Sequence, residues 1–401
     1  MSREEEELER AWIGIDAGKA AHHATAVDDH GRVIWSQRVA NDQEAIENLV
    51  AKGRGTGQDV TWAIDLAGSP AALVIALLLS AEQRLVYVPG RTVHRMSGAF
   101  RGEGKTDAKD AWIIAETARM RRDLSALTLK PDLIAELAVL TAHRADLTTD
   151  WTRTITRLRD YLTGTFPALE KVFNFAKRGP LILLSLYQTP EAIRQAGHEQ
   201  ITARLKERRA RRAVVLADKA CAAAAAQTVE LPGQRMTARL VQQMADYLLD
   251  LHRRIQELDS EIAELFGQHP QAKIILSMPG MGPVLGAEFL AAIGDTRNFR
   301  DADHLAAFAG LAPVPRESGR RVGIMCRPKH YSRTLRRVFY MSALTSLKFD
   351  GPNREYFDRK RAEGRKPRQA LIALARRRVD VLWALLRDSR CFQQAAPASA
   401  A

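Results

Sequence analysis

Residues 11–40 read AWIGIDAGKAAHHATAVDDHGRVIWSQRVA, and residues 60–65 read VTWAID. Apolar and β-branched residues fall in three short runs, WIGID, HHATAV and RVIWSQRV, with the turn-forming triplet Asp29-His30-Gly31 before the third. This pattern predicts a three-stranded antiparallel meander. A helical stretch near Asp42 to Ala51 leads to VTWAID, then to a helix from about Ser69 to Ser80 and a short strand LVYVP. Strands thus begin to alternate with helices, as in an α/β domain.

The order βββαβαβα, with which several α/β folds begin, is that of an RNase H-like sheet, in which the first and fourth strands are neighbours. On such a sheet Asp16 closes the first strand, and Gly18 leaves room for a phosphate or metal. Asp65 closes the fourth strand, so both carboxylates project toward one edge. KTDAKDA adds Asp107 and Asp110, three apart at a helix start and therefore on one helical face. Four convergent carboxylates repel unless a cation neutralises them, and hard oxygen ligands favour Mg²⁺ or Mn²⁺. Two such ions about 3.5–4 Å apart suit displacement at a phosphodiester. For the DxxD pair alone a structural role is the other reading, with Asp107 capping its helix and Asp110 facing solvent.

At 401 residues the chain exceeds the roughly 250–300 at which a single core stops growing, which implies two or three domains. Its 60 Lys and Arg against 47 Asp and Glu leave a net +13, which favours polyanionic partners over neutral substrates. Cys221, Cys326 and Cys391 lie too far apart in sequence for a zinc motif or a disulfide framework. The acidic start MSREEEELERAW does not resemble a signal peptide, and the apolar run from Ala71 to Leu79 is too short to span a bilayer. A cytoplasmic, nucleoid-associated protein with no membrane partner is expected, ending in a disordered tail, QQAAPASAA.

Between residues 131 and 268 two heptad runs stand out. Leu133, Leu137, Leu140, Leu147, Trp151, Leu158 and Leu162 form one, with Arg144 at a seam position. Val241, Met244, Leu248, Leu251, Ile255, Leu258, Ile262 and Leu265 form a cleaner one. They imply an antiparallel coiled-coil pair or a dimer seam. The basic cluster Lys206, Arg208, Arg209, Arg211 and Arg212 lies between them, followed by an alanine tract at Ala222 to Ala226, and reads as a helical or mobile insertion.

From residue 269 to 390 shorter helices alternate with Gly and Pro. In SMPGMGPVLGAEFLAAIGD, Gly280 and Gly282 fit the turn of a helix-hairpin-helix, whose backbone N–H groups bind phosphate without reading sequence; an ordinary helical hairpin is the other reading. Ser318, in FAGLAPVPRESGRRVG, is flanked by Arg316, Arg320 and Arg321. Those cations would hold a scissile phosphate for a serine attacking phosphorus, although a lone Ser-Gly also marks a plain turn. Lys105, and Arg336 within the run Arg333 to Arg337, are further candidate phosphate contacts, as are Arg359 to Arg368 and Arg376 to Arg378. These basic runs also suit solvated faces.

GIDAGK, WAID, GEGKTDAKDA, the heptads, MPGMG and GLAPVPRESG occur in the order seen in DEDD insertion-sequence transposases of the IS one-ten type, bridge-RNA-guided recombinases, which this chain resembles from Ala11 to about Asp388. The resemblance implies a RuvC-like domain at 11–125 with the quartet Asp16, Asp65, Asp107 and Asp110. It implies coiled-coil helices at 131–268 and a C-terminal transposase domain at 269–390 with Ser318 as nucleophile. The family usually has Glu at the second acidic position, where Asp65 has a shorter reach, and Glu103 is a weaker candidate. The resemblance further implies strand exchange between donor and target DNA through a phosphoserine link. A structured guide RNA would be the partner, in dimers assembling to a tetramer with composite sites. No P-loop GxxxxGK[ST] is present, which agrees with chemistry that conserves phosphodiester energy. A RuvC-like junction resolvase that leaves Ser318 idle and a non-catalytic architectural protein are the competing expectations.

Overall fold

The predicted meander forms from β1 (Arg10–Asp16), β2 (Ala21–Val27) and β3 (Val33–Ala40), paired antiparallel with Gly14 opposite Thr25 and Asp16 opposite His23. The computed structural model describes residues 9–66, 68–100, 106–128, 131–315, 325–326 and 328–393. At the turn joining β2 and β3, the Asp28 carboxylate accepts from the backbone N–H groups of His30 and Arg32 at 2.9 and 2.8 Å, and Gly31 takes a left-handed φ of 77°.

Next come α1 (Gln43–Arg54), β4 (Asp59–Ile64), a 3₁₀ turn (Ser69–Ala71), α2 (Ala72–Ser80) and β5 (Arg84–Tyr87). The first unit is completed by α3 (Gly90–Ser97), α4 (Asp107–Met120) and the short β6 (Ser125–Ala126). Asp42 caps α1 by accepting from the Ala45 N–H at 2.9 Å, which starts the helix where the sequence pattern does. The sheet order is β3-β2-β1-β4-β5-β6, with β4 parallel to both β1 and β5. The first five strands thus follow the RNase H-like order, and β1 and β4 are neighbours. Ile13, Ile15, Trp62 and Ile64 form one face of the core with Ile46 and Leu49 of α1 and Val74 and Leu78 of α2. Ala63 and Val86 pack on the other face with Ile113, Ile114 and Ala118 of α4.

The chain divides into two compact units, residues 1–130 and 131–401. In the second, α5 (Asp132–Thr165) precedes α6 (Pro167–Val172), α7 (Arg178–Leu186), α8 (Pro190–Glu207), α9 (Ala213–Ala225) and α10 (Gln234–Gly267). Gly197, at φ 71°, kinks α8. Then follow α11 (Ala272–Ser277), α12 (Pro283–Ile293), α13 (Ala302–Phe308), the two-stranded β7 (Val314–Pro315) and β8 (Met325–Cys326), α14 (Arg333–Ser346), α15 (Pro352–Ala362) and α16 (Pro367–Arg387).

The two heptad runs lie on α5 and α10, which pack antiparallel within one chain. Arg144 faces Asp259 and forms an ion pair with it, and the Trp151 ring lies 5.7 Å from that of His252. The pair runs through two cores. Leu158 and Leu162 join Leu248 and Leu251 in a core with α6 to α9, whereas Leu137 joins Ile262 and Phe266 in a core with α11 to α16. A division at residue 268 therefore does not separate two compact bodies. The basic cluster lies at the end of α8 and in the loop to α9, the helical one of the two alternatives expected for this insertion. Among the described residues no helix is long and apolar enough to cross a membrane. Most of the tail expected to be disordered, residues 394–401, lies outside the described residues.

Candidate active site

Because side chains alternate across a strand, Gly14 and Asp16 share the sheet face of Ala63 and Asp65, opposite Ile13, Ile15, Trp62 and Ile64. Gly14 decides what covers that face. A Cβ there would lie 2.1 Å from the Ala111 carbonyl oxygen and 2.4 Å from the Ala115 nitrogen, so α4 rests directly on the backbone of β1. Thr25, opposite Gly14, donates from its hydroxyl to the Ala108 carbonyl at 3.5 Å. The first turn of α4, which carries Asp107 and Asp110, is thereby brought toward the strand ends that carry Asp16 and Asp65.

Electrostatics record the proximity. Burial pushes the half-buried Asp65 carboxyl above its ordinary range; a hydrogen bond to its own backbone amide opposes this, and the negative charge of Asp110 adds to it. Gly90 at the start of α3 lies alongside, since a Cβ there would be 3.8 Å from Asp65 Oδ2. His23, beside Asp16 in register, has its imidazole held below the usual histidine range by burial; Asp107 opposes the shift and Arg38 reinforces it. His23 Nε2 and the Ser36 hydroxyl are hydrogen-bonded at 2.9 Å. Sequence reasoning missed His23, for which the signal was the position opposite Asp16.

Asp107 is not the cap of α4. Thr106 takes that role, accepting from the Lys109 N–H at 3.2 Å, and leaves the exposed Asp107 carboxylate uncommitted to helix capping. Among the described residues no group of three or more His, Cys, Asp or Glu is placed to hold a metal ion. The donor chemistry nevertheless suits a hard cation, because the Asp65–Asp110 repulsion is what a bound cation relieves. Glu103 and Lys105 lie outside the described residues.

In the second unit, α11 and α12 are joined by the turn Met278–Gly282. Gly280 has φ 83°, and a Cβ there would lie 2.5 Å from the Ser342 carbonyl oxygen and 2.9 Å from the Ser346 nitrogen of α14. Its glycine is required by packing against α14. Gly282 precedes α12 and has open space around it. The turn is anchored by Arg378 of α16, a fully buried guanidinium that donates to the Pro279 carbonyl and, at 2.6 Å, to the Ser342 hydroxyl. Burial lowers its pKa to about 10. The sequence run Arg376 to Arg378 is thus neither a phosphate-binding stripe nor a solvated face as a whole: Arg378 is interior, and Arg376 pairs with Asp303 and Asp380.

Arg336 is likewise committed to the fold, donating to the Gly310 carbonyl and lying 5.3 Å from the Tyr331 ring centroid. Tyr331 packs on Gly310, whose φ is 66° and where a Cβ would be 2.4 Å from the ring. Arg337 pairs with the buried Glu288. These contacts brace the region beside β7 and β8, where Val314 pairs with Cys326 and Pro315 with Met325. Ser318, Arg316, Arg320 and Arg321 fall between those two strands and outside the described residues.

An RNase H-like sheet with aspartates at adjacent strand ends, preceding a large helical unit, suits metal-assisted chemistry on phosphodiesters, and the comparisons with known proteins give the family. Residues 13–167 match the DEDD transposase model of IS110 elements, described as a transposase, and residues 272–358 match the model described as transposase IS116/IS110/IS902 family. The chain belongs to that family, and is an enzyme that cleaves and rejoins DNA. It is 52% identical to the uncharacterized 44.8 kDa protein of insertion element IS116 from Streptomyces clavuligerus, over 97% of this chain and 98% of that one. It is 50% identical to the uncharacterized 42 kDa protein of insertion element IS900 from Mycobacterium paratuberculosis, over 97% and 99%. A pilin gene-inverting protein of Moraxella bovis is 29% identical over 35% of this chain and 45% of its own.

Proposed function

We propose that this transposase exchanges strands between donor and target DNA under the guidance of a structured RNA, with Asp16, Asp65, Asp107 and Asp110 as the acidic site and Ser318 as the nucleophile. The observation that carries the acidic site is the seating of α4 on Gly14, which brings two carboxylates of a helix start to the ends of two adjacent strands. The four aspartates would hold Mg²⁺ or Mn²⁺, which when bound supplies neutralisation of the cluster and stabilisation of charge on phosphate oxygens. By the family resemblance the second acidic position is usually the longer Glu, so the Asp65 carboxylate would reach less far toward the scissile group.

Ser318 Oγ attacks phosphorus, forming an Oγ–P bond as one phosphodiester P–O bond breaks; the serine proton ends on the departing DNA hydroxyl. Attack by a hydroxyl of the other duplex reverses the step, returns the proton to Ser318 and leaves the number of phosphodiesters unchanged. Arg316, Arg320 and Arg321 hold the phosphate and offset its developing charge. The name of the Moraxella relative, which speaks of inverting a gene, suits a reaction that rejoins what it cuts. Base pairing to the guide RNA supplies specificity while the protein contacts backbone and shape, the helix-hairpin-helix glycines Gly280 and Gly282 among those contacts. The working assembly is a pair of dimers.

A nicked suicide substrate tests the serine. Wild-type protein with its RNA is expected to give a denaturation-stable protein–DNA adduct mapping to Ser318, and Ser318→Ala to give none while still binding DNA. Cutting by Ser318→Ala, or an adduct at another residue, replaces this mechanism with hydrolysis or with a different nucleophile.

A further inference from the structure

A cavity of about 1260 Å³ opens between α6, α7, α9 and α10 of the second unit, larger than the roughly 300–1,000 Å³ of a small-molecule site. Among the described residues its walls carry eight Lys and Arg and no Asp or Glu. Arg253 is held by Asp250 and Glu257. The other seven, including Lys177, Arg178, Arg208, Arg211 and Lys219, have no carboxylate partner among the described residues, and Arg178 donates only to the Arg208 and Arg209 carbonyls. Seven cations around one hollow repel one another, and a polyanion with several phosphates at close spacing relieves that repulsion more fully than single counterions do.

The backbone points the same way. Both α7 and α9 begin among the residues that line this cavity, and neither start is capped by a side chain, so the positive ends of their dipoles add to the positive potential of its walls. Gly179 lets these starts approach, since a Cβ there would be 2.8 Å from a Leu216 methyl of α9. In the loop from α8 to α9, Arg209 and Arg212 adopt left-handed φ of 54° and 55°, a conformation costly for a residue with a side chain. Apolar groups complete the walls. Val172 and Val215 are 40% and 47% exposed at the rim, beside Phe173 and His252. Cations for phosphates next to apolar and aromatic surface for base faces are the two requirements of an unpaired strand, whereas a duplex keeps its base faces stacked on one another.

We infer that this cavity is a binding site for single-stranded nucleic acid, contacting phosphodiesters through Lys177, Arg178, Arg211 and Lys219 and bases through Phe173 and His252. Neither the acidic residues nor Ser318 is among the residues that line it, and its binding is measurable without strand exchange.

The test uses the full chain carrying Lys177→Ala, Arg211→Ala and Lys219→Ala, three exposed side chains whose loss leaves the core untouched. Fluorescence anisotropy with a 20-nucleotide oligo-U, an oligo-dT of the same length and a blunt DNA duplex is followed from 50 to 300 mM salt. For the single strands, binding weakens about tenfold and the log–log salt slope shrinks by about 2, three phosphate contacts at ~0.7 each. The charge-keeping triple variant Lys177→Arg, Arg211→Lys, Lys219→Arg restores both. Loss for oligo-U alone identifies RNA as the occupant, loss for oligo-dT alone identifies DNA, and loss for both identifies the shared backbone. Unchanged affinity and slope for both single strands, or loss confined to the duplex, overturns the inference.

Discussion

Asp65 illustrates how a residue proposed for the acidic site works against its own fold. Burial and the nearby charge of Asp110 raise its carboxyl above the unfolded value, so the native state holds the proton more tightly than the unfolded chain does. The resulting penalty is absent below the ordinary carboxylate range, grows as pH rises through the elevated native value, and is complete above it. Metal-free Asp65→Asn is therefore expected to melt higher than wild type at pH 7, with the gap closing as pH falls below the ordinary carboxylate range. Mg²⁺ should raise the melting temperature of wild type more than that of the variant; equal responses would remove Asp65 from the metal site. Arg378 is the converse, a buried charge that the fold depends on. Arg378→Ala leaves the Pro279 carbonyl and Ser342 hydroxyl without their donor, and urea unfolding should show a loss of roughly 2–3 kcal/mol. Asp16 and Asp65 were legible because strand-end aspartates follow from pattern alone. Arg378 was not, since in sequence it is one of three consecutive arginines and only the packing of α16 sends it inward.

At the scale of elements, the sheet order and the two long helices were legible because periods of two and of three to four are written directly in the apolar residues. What the period does not contain is the partner. The heptads of α5 and α10 fit a dimer as well as a hairpin, and it is the Arg144–Asp259 pair, the Trp151–His252 ring contact and the shared cores that show they meet within the chain. Leu251 is fully buried there. Leu251→Glu is accordingly expected to cost on the order of 4 kcal/mol and to lose helical circular dichroism, because the carboxylate has no partner. A folded variant that merely dissociates would return the seam to the dimer. Gly14 carries the corresponding weight in the first unit. Gly14→Val would drive α4 off β1, separating Asp107 and Asp110 from the strand ends, and should remove Mg²⁺-dependent stabilisation as well as lowering stability. That role was illegible, since a glycine in a strand does not announce which helix lies across it.

At the scale of the whole molecule, the acidic residues and Ser318 belong to different units of the chain, Asp16, Asp65, Asp107 and Asp110 to residues 1–130 and Ser318 to residues 131–401. A reaction that needs both can draw them from one chain or from two, and catalytically dead variants separate the cases. On the proposed mechanism Asp65→Asn lacks a working acidic site and Ser318→Ala lacks a nucleophile, so neither alone should form the covalent adduct or recombine DNA. If each catalytic centre is completed by a second subunit, a mixture of the two variants contains pairs in which an intact acidic site faces an intact serine, and part of the activity returns. If each chain supplies both halves of its own centre, no mixture contains a complete one, and activity stays at background at every ratio. The composite tetramer predicts recovery that peaks near equal amounts of the two proteins and falls toward either pure variant. Adduct should then map only to the Asp65→Asn chain, the one that still carries Ser318. A flat profile at background would place the acidic site and the nucleophile of each centre in the same subunit.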